Sequence, residues 1–319
     1  MLSRRDFTLA AGVALFGLTA DAARAAESVN LSYADSLITV MERTLIPLAA
    51  AHGLEVAGES KGSVALANLI RSGLRSPDVF ISADPAVIAS LMGATNDNLV
   101  AWYATFATTR LVVGYAPASP FAHSFVDVAR SRRSLVDVLA QPGLRLGRTD
   151  PALDPKGYRT ILAMRLLERY AHRPGFARKL LGDDRNPAQV LPDSATLLGR
   201  LEGGELDAVF LYATESTARS VPAVELPRAV NLGDPLEAPT YASVSVTIDG
   251  KTRTGAPIAF ALTIPRLARN PRAGADFVAL LLSPEGRAAL ARSGMTLFAR
   301  PQVNGDPSAI PAGARSVLR

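Results

Sequence analysis

Short apolar runs alternate with segments of helical periodicity along this chain, and this alternation is typical of α/β lobes. Residues 29–33 predict a strand, and the helix predicted over residues 37–51 carries Leu37, Val40 and Met41 on one face at i, i+3, i+4 spacing. Residues 54–58 predict the next strand. In open α/β sheets ligands bind where strands give way to helices, so the loops at these junctions are the first candidates for function.

A second unit of the same alternation begins near residue 111. The turn Asp249-Gly250 is expected to join the last two predicted strands, and the last residues, rich in Pro, Gly and Ser, are expected to form a poorly packed tail. The further strands are predicted at residues 79–81, 111–115, 208–212, 242–248 and 258–264, and the further helices at residues 64–71, 134–139, 158–171, 194–202, 276–282 and 284–292, with another helix starting at Asp84-Pro85.

Residues 1–25 predict an export signal rather than part of the fold. Arg4 and Arg5 precede an apolar run at residues 9–20, which is too short to span a bilayer, and residues 23–25 (Ala-Arg-Ala) give a small-x-small cleavage pattern. The paired arginines resemble the signal of the twin-arginine export route. A general secretory signal is the alternative.

The absence of cysteine excludes a disulfide framework, a thiolate nucleophile and a lipid-anchoring cysteine. No later apolar run reaches the roughly 18 residues of a membrane span. The formal net charge of +5 is mild, and no basic run is interleaved with the few aromatic residues, so nucleic-acid binding is not expected. We therefore expect a soluble, monomeric periplasmic protein without a lipid anchor.

Catalytic motifs are absent from the sequence. There is no Gly-x-Ser-x-Gly elbow, no Walker loop and no Gly-x-Gly-x-x-Gly fingerprint. His52, His123 and His172 lie far apart, and none has metal-ligand spacing. No resident cofactor is expected, and an exported enzyme remains only as an alternative.

Three loops at predicted helix starts are suited to hold a small anion. A helix start offers unpaired N–H groups and the positive end of the peptide dipoles, glycine lets a ligand approach the backbone, and hydroxyls add neutral donors. Taken alone, each serine also fits an ordinary helix N-cap, and each lysine a solvated loop. The three loops are Ala34-Asp35-Ser36, Lys61-Gly62-Ser63-Val64 and residues 150–159, which include Asp154, Lys156, Gly157 and Tyr158.

Asp154 is unexpected in such a site, because a carboxylate repels a dianion. Its structural interpretation is a cap for the helix that follows, or a turn residue before Pro155. Its functional interpretation requires an anion whose central atom accepts an extra oxygen ligand, as molybdenum and tungsten do.

With these motifs the chain resembles the molybdate/tungstate-binding proteins of ABC importers, in the branch first known from archaea. The likeness runs in order through nearly all of residues 29–300, and its most distinctive element is the Asp-Pro-x-Gly-Tyr-Arg segment at residues 154–159. The other matching segments are Ala34-Asp35-Ser36, Gly62-Ser63-Val64, residues 78–84, Trp102-Tyr103, Phe106-Ala107-Thr108, residues 255–258 and 263–265, Leu281-Leu282-Ser283 and Glu285-Gly286-Arg287.

The resemblance implies a type II periplasmic-binding fold, with two α/β lobes joined by two crossover strands and a ligand cleft between them. Lobe 1 would comprise residues 26–108 and residues 231–319, the latter including the C-terminal tail, and lobe 2 residues 109–230. The implied partners are an inner-membrane permease with its cytoplasmic ATPase.

The resemblance also implies the ligand contacts. Ser36 and Ser63 would donate hydroxyl hydrogen bonds from one lobe. Asp154, as a possible extra ligand to the metal centre of the anion, and Tyr212 would act from the other. Two departures bear on the choice of ligand. Leu211 stands where the archaeal branch usually has a glutamate, and Asp35 where the family commonly has glycine. The leading expectation is a receptor for molybdate or tungstate, and another oxyanion or a small organic acid is the alternative.

Overall fold

The computed structural model describes residues 27–318, so the predicted export signal lies outside the described residues. Within this range no helix is long and apolar enough to cross a membrane. The strands are β1 (Glu27–Ala34), β2 (Leu54–Lys61), β3 (Val79–Ser82), β4 (Trp102–Thr108), β5 (Leu111–Tyr115), β6 (Leu146–Thr149), β7 (Val190–Leu191), β8 (Ala208–Tyr212), β9 (Ala223–Glu225), β10 (Ser245–Ile248), β11 (Lys251–Thr254), β12 (Ala259–Thr263) and β13 (Thr296–Gly305).

The helices lie between and around these strands. A π-helical turn at Met41–Leu45 separates the first two, which continue one another along the chain. The helices are α1 (Ile38–Val40), α2 (Ile46–Ala51), α3 (Ser63–Arg71), α4 (Pro85–Ala89), α5 (Ala122–Ala129), α6 (Leu135–Leu139), α7 (Pro155–Tyr170), α8 (Phe176–Leu181), α9 (Ser194–Glu202), α10 (Ala213–Arg219), α11 (Ala238–Tyr241), α12 (Pro271–Leu282), α13 (Pro284–Arg292) and α14 (Ala312–Arg315).

Two sheets define two lobes. Lobe 1 is built on a six-stranded sheet in the order β13-β4-β12-β3-β1-β2, and lobe 2 on a five-stranded sheet in the order β7-β6-β8-β5-β9. In lobe 1, β1 runs parallel to β2 and β3, while β12 runs antiparallel to β3 and β4. In lobe 2, β6 runs parallel to β7 and β8, and β5 runs antiparallel to β8.

The chain passes twice between the sheets. The first passage is the short link from β4 to β5, and the second leads from β9 to β12. The second passage contains the hairpin of β10 and β11, which packs on α7 of lobe 2, where Arg169 donates to the carbonyl oxygen of Ser243 at 3.0 Å. Because the lobes are otherwise separate sheets, the groups that meet between them come from loops at strand ends.

Burial follows the sequence pattern closely in the central strands. All side chains of β3 and β8 are buried, because helices cover both faces of each sheet. Successive side chains of a strand point to opposite faces, so Leu211 and Tyr212 of β8 enter different apolar clusters. Leu211 therefore faces away from Tyr212.

Two predictions of local structure are wrong. The turn Asp249-Gly250 joins β10 to β11 in a separate hairpin, and β12 instead lies in the middle of the lobe 1 sheet. The expected poorly packed tail is ordered: β13 pairs with β4, and the side chains of Ile310 and Leu318 are buried. Apolar residues spaced between the Pro and Gly residues of this segment supply that packing.

Candidate binding site between the lobes

The two serine loops of lobe 1 emerge side by side. Ala34 at the end of β1 pairs in register with Lys61 at the end of β2, so Ser36 and Ser63 follow neighbouring parallel strands. Both serines are buried. The expectation that Ser63 caps its helix is wrong, since α3 begins at Ser63 and has Gly62 as its N-cap residue.

The hydroxyls of these serines remain able to donate. The Oγ of Ser63 accepts a hydrogen bond from the backbone N–H of Ala83 at 3.0 Å, which leaves its own proton uncommitted. The Oγ of Ser36 is buried without any hydrogen-bond partner. A buried hydroxyl without a partner is energetically costly, so a polar ligand at this position would stabilise it.

Asp154, in lobe 2, lies close to the loop that carries Ser63, since its Cβ would be 3.1 Å from a Cβ on Gly62. Its Oδ1 accepts from the backbone N–H of Lys156 at 3.0 Å, which confirms the predicted cap of α7. Its Oδ2 is buried without a partner. Burial raises the pKa of the Asp154 carboxyl, because the charged form loses its hydration there.

Lys156 and Glu215 form a buried ion pair. The Nζ of Lys156 lies 2.7 Å from Oε1 of Glu215 and 2.5 Å from the Oγ of Ser194. Burial alone would lower the pKa of Lys156, but neighbouring carboxylates, led by Glu215, outweigh burial and raise it. The ammonium therefore stays charged, and two of its donors are engaged within the protein.

Tyr212 is held by Arg159 at the end of β8. Nη1 of Arg159 donates to the Tyr212 hydroxyl at 2.8 Å and to the carbonyl oxygen of Ala83 in lobe 1 at 2.5 Å. Burial raises the pKa of Tyr212, so the phenol keeps its proton. Since the Tyr212 oxygen already accepts from Arg159, its proton is oriented to donate elsewhere.

Asp35 reaches across to lobe 2. Its Oδ2 accepts from the backbone N–H of Ser194 at 2.8 Å, while its Oδ1 is buried without a partner. Burial raises the pKa of Asp35 to about 7, with the charge of Asp154 adding to the rise and Lys156 opposing it. Ser194 is the first residue of α9, and Asp193 caps this helix through the N–H of Thr196.

These contacts join into one polar circuit. The circuit starts at Ser63 in lobe 1, continues through lobe 2 and returns to lobe 1 at Asp35. Asp35 directly follows β1, and β1 pairs with β2, the strand that leads to Ser63. Its successive members are Ser63, Ala83, Arg159, Tyr212, Glu215, Lys156, Ser194 and Asp35.

Partnerless buried atoms concentrate along this circuit. Besides the Oγ of Ser36 and one carboxylate oxygen each of Asp35 and Asp154, the hydroxyls of Thr149 and Thr214 have no partner. Thr214 lies in the first turn of α10 next to Glu215, and Thr149 ends β6, where its carbonyl oxygen packs against Gly157, the residue after Lys156. Such a concentration of unsatisfied groups is expected where a small polar ligand belongs.

Three of the predicted residues have other contacts. The side chain of Lys61 is half exposed and pairs with Glu59 at 3.5 Å, so it lies outside the circuit. Tyr158 donates its hydroxyl proton to Asp84, a contact between the lobes. Gly157 packs against the backbone of the loop before it, since a Cβ there would lie 2.5 Å from the carbonyl oxygen of Thr149.

Gly62 is required at a contact between the lobes. A Cβ on Gly62 would lie 2.4 Å from the carbonyl oxygen of Leu153. The same oxygen accepts from the N–H groups of Val64 and Ala65, both at 3.1 Å, at the N-terminus of α3. In this conformation the start of α3 is therefore occupied by lobe 2, which corrects its interpretation as a free anion cradle.

Three members of the circuit were not predicted as site residues, namely Arg159, Glu215 and Ser194. One available signal was the placement of Lys156 and Arg159 one turn apart on a helix whose neighbouring residues are largely apolar, since charged residues buried in this way need partners.

Two other kinds of site, a surface cavity in lobe 1 and a metal-ion site, do not involve the residues described above. A surface cavity of about 450 Å³ lies in lobe 1 between β2 and residues 74–77, and none of the predicted residues lines it. Among residues 27–318, no group of three or more His, Cys, Asp or Glu side chains converges as a metal-ion site.

Comparisons with known proteins agree on the class of molecule. The model of a family described as bacterial extracellular solute-binding protein matches residues 29–296. A Haloferax volcanii protein named "putative ABC transporter molybdenum-binding protein" is 38% identical over 269 residues, covering 82% of each chain. The molybdate/tungstate-binding protein of Pyrococcus abyssi is 26% identical over 250 residues, covering 72% of this chain and 71% of its own.

The fold also has a solved counterpart. The periplasmic molybdate-binding protein of Azotobacter vinelandii superposes with a TM-score of 0.55 at 16% identity, over 85% of this chain and 99% of that chain. At this identity the likeness concerns the fold alone. It confirms the predicted type II arrangement of two α/β lobes.

Proposed function

The chain belongs to the bacterial extracellular solute-binding proteins, and we propose that it captures molybdate or tungstate between its lobes and delivers the anion to an ABC permease. The names of its relatives support this choice of anion. Under the same proposal, the protein acts in the periplasm and catalyses no reaction. Closure of two lobes around a ligand is the mechanism by which such a fold binds.

The polar circuit between the lobes is the observation that carries the proposal. Ser36, Ser63 and Tyr212 have hydroxyl protons without an assigned acceptor. Ser63 and Tyr212 belong to the circuit, which draws on both lobes, and Ser36 directly follows its member Asp35. Neutral donors of this kind bind an oxyanion without adding charge to the buried site. A wrong ligand would leave such donors unpaired, at a cost of about 1–3 kcal/mol each, which provides selectivity.

Electrostatics sets a condition on the ligand. Asp35, Asp154 and Glu215 place three carboxyl groups near one buried ammonium, so a dianion is disfavoured while all three are ionised. The raised pKa values of Asp35 and Asp154 reduce this repulsion, since a neutral carboxyl can donate a hydrogen bond. Alternatively, the free Oδ2 of Asp154 would act as an extra oxygen ligand to the metal centre of the anion.

Isothermal titration calorimetry of the purified mature protein tests the proposal. Molybdate and tungstate are expected to bind in the micromolar range or tighter, and sulfate and phosphate at least about tenfold more weakly. Affinities for molybdate and tungstate that are both weaker than millimolar would overturn it. Asp154→Asn keeps the cap through its amide oxygen, so a change in affinity for that variant reports on the free Oδ2.

A second ligand class is favoured by one specific feature. The unpartnered oxygens of Asp35 and Asp154 are acceptors when ionised, and they would suit a ligand that brings its own proton, such as another oxyanion or a small organic acid. A thermal-shift screen of molybdate, tungstate, other oxyanions and small organic acids at pH 5 and pH 8 separates the two classes. Stabilisation by organic acids but not by molybdate would favour the second.

A further inference from the structure

Asp35 completes the N-terminus of a helix that belongs to the other lobe. The first N–H groups of a helix have no partner within it and carry the positive end of the helix dipole. In α9, Asp193 satisfies the N–H of Thr196 at 2.7 Å. The N–H of Ser194 is satisfied by Oδ2 of Asp35, which lies 159 positions away in the sequence and in the other lobe.

Lobe 2 returns the same kind of contact. The carbonyl oxygen of Leu153 accepts from the N–H groups of Val64 and Ala65 at the start of α3 in lobe 1. Each lobe therefore supplies an oxygen to a helix N-terminus of the other. Two passages of the chain link the two sheets in the part of the chain that the structure describes, so a rotation that opens the cleft pulls both oxygens away from their donors.

The position of Asp35 ties its contact to the ligand site. Ser36 is the next residue, and its buried hydroxyl lacks a partner. Asp35 and Ser36 lie in one short turn of 3₁₀ helix, so fixing the carboxylate of Asp35 also fixes the backbone that presents Ser36. The carboxyl group of Asp35 is directed at the positive end of the α9 dipole through Oδ2.

We propose that Asp35 is a positioning residue for lobe closure: by capping α9 across the cleft, it holds the lobes together with Ser36 presented to the bound anion. This inference rests on the proposed function, because the ligand it retains is the anion proposed above. Loss of the cap is expected to act mainly on the rate of ligand release, since the contact exists only after closure.

Four single variants of the mature protein isolate this contact. Asp35→Ala removes the acceptor, and Asp35→Asn keeps an oxygen that can still cap. Ser194→Pro removes the N–H donor, and proline is tolerated in the first turn of a helix. Ser194→Ala is the reference for Ser194→Pro, because both variants lack the hydroxyl bonded to Lys156 and only Ser194→Pro also lacks the N–H.

Two readouts follow each variant. Stopped-flow release of molybdate reports the rate. A pair of spin labels at Leu267→Cys in lobe 1 and Tyr170→Cys in lobe 2 reports the distance between lobes, and both positions are exposed in a chain that has no native cysteine. Denaturation midpoints identify any variant that fails to fold.

Asp35→Ala is expected to release the anion about tenfold faster than the wild type, and Ser194→Pro about tenfold faster than Ser194→Ala, the effect of losing one helix cap. The double variant should be no faster than Ser194→Pro alone, because both changes remove the same bond. Asp35→Asn should stay within about threefold of the wild type, smaller than the loss of a cap. In the label experiment, the first two variants should lengthen the mean interlobe distance.

Unchanged release and unchanged distances in Asp35→Ala and Ser194→Pro would overturn the proposal, as would additive effects in the double variant. A wild type that binds neither molybdate nor tungstate contradicts the proposed function instead. In that case the label distances of the ligand-free protein still decide whether Asp35 holds the lobes together.

Discussion

Nζ of Lys156 lies 2.7 Å from Oε1 of Glu215, and both side chains are almost completely buried. A buried ion pair is not in itself strongly stabilising, but removing one partner leaves the other charge without compensation. This pair also links the start of α7 to the first turn of α10, two of the elements that carry the binding site.

Lys156→Met is expected to lower the free energy of unfolding by about 3–5 kcal/mol, because Glu215 would keep a buried charge without its partner. Urea denaturation of the ligand-free protein measures this. Arg185→Met, which breaks an exposed pair with Asp249, is the control and should cost at most about 1 kcal/mol. Equal losses of unfolding free energy in the two variants would contradict the expectation that breaking the buried ion pair costs more than breaking the exposed one.

Ser36→Ala and Ser63→Ala should each weaken molybdate binding by about 1–3 kcal/mol, because each removes a buried hydroxyl available to the anion. Calorimetry gives the affinities, and Ser72→Ala, an exposed serine at the end of α3, is the control. If both site variants bind as tightly as the control, the serines serve only the local structure of their loops.

Gly62→Ala should weaken ligand binding by about tenfold or more while leaving lobe 1 folded, because the new Cβ would lie 2.4 Å from the carbonyl oxygen of Leu153 and resist closure. Gly199→Ala is a matched control, since a Cβ there meets no atom within 4 Å. Binding and circular dichroism are measured together. Normal affinity in Gly62→Ala would mean that the loops of Gly62 and Leu153 can move apart without a loss of ligand binding, and it would contradict this prediction.

Stability should depend on pH through Asp35. Its pKa is about 7 in the folded protein, whereas an exposed aspartate titrates near about 4. The folded state therefore binds the proton more tightly than the unfolded state does. The resulting stabilisation is complete below about pH 4 and is lost as the pH rises to about 7, with a slope of at most about 1.4 kcal/mol per pH unit.

Asp35→Asn should remove this contribution. Urea midpoints of the ligand-free protein between pH 4.5 and pH 7.5 are expected to fall less steeply for Asp35→Asn than for the wild type. The slope that remains would come from Asp154, whose pKa is raised in the same direction. Asp97→Asn changes an exposed carboxylate and should keep the wild-type slope. If the urea midpoint of Asp35→Asn depends on pH as steeply as that of the wild type, a group other than Asp35 is responsible for the pH dependence.

The fold was predictable because it depends on local patterns. Strands such as β3 and β8 are apolar runs bounded by turns. The start of α7 is predicted by Asp154-Pro155, a capping residue followed by a proline at the first helical position. The turn Asp249-Gly250 was identified, but the strand after it was placed at the next apolar run, which is β12. The true partner of β10 is β11, whose sequence Lys-Thr-Arg-Thr is polar and lacks the apolar pattern of a buried strand.

The candidate site was predictable only in part, for a physical reason. Sequence patterns identify helix starts, so the loops at Ser36, Ser63 and Asp154 were found. They do not reveal which oxygen of one lobe reaches which N–H of the other, and the contact of Asp35 with Ser194 depends on how the lobes meet. The ion pair of Glu215 with Lys156 joins positions that are 59 residues apart, so the spacing of residues in the sequence does not reveal it.

The polar circuit also limits how the receptor could be retargeted to another cargo. Its members are scattered from Asp35 to Glu215, and apart from Tyr212 and Glu215 each is a neighbour of the next only in three dimensions. A substitution at one member changes the hydrogen bonding of its neighbours, and two of the contacts cross to the opposite lobe. Successful redesign should therefore require matched exchanges at sequence positions far apart, and libraries that vary a single loop should yield mostly weakened binders.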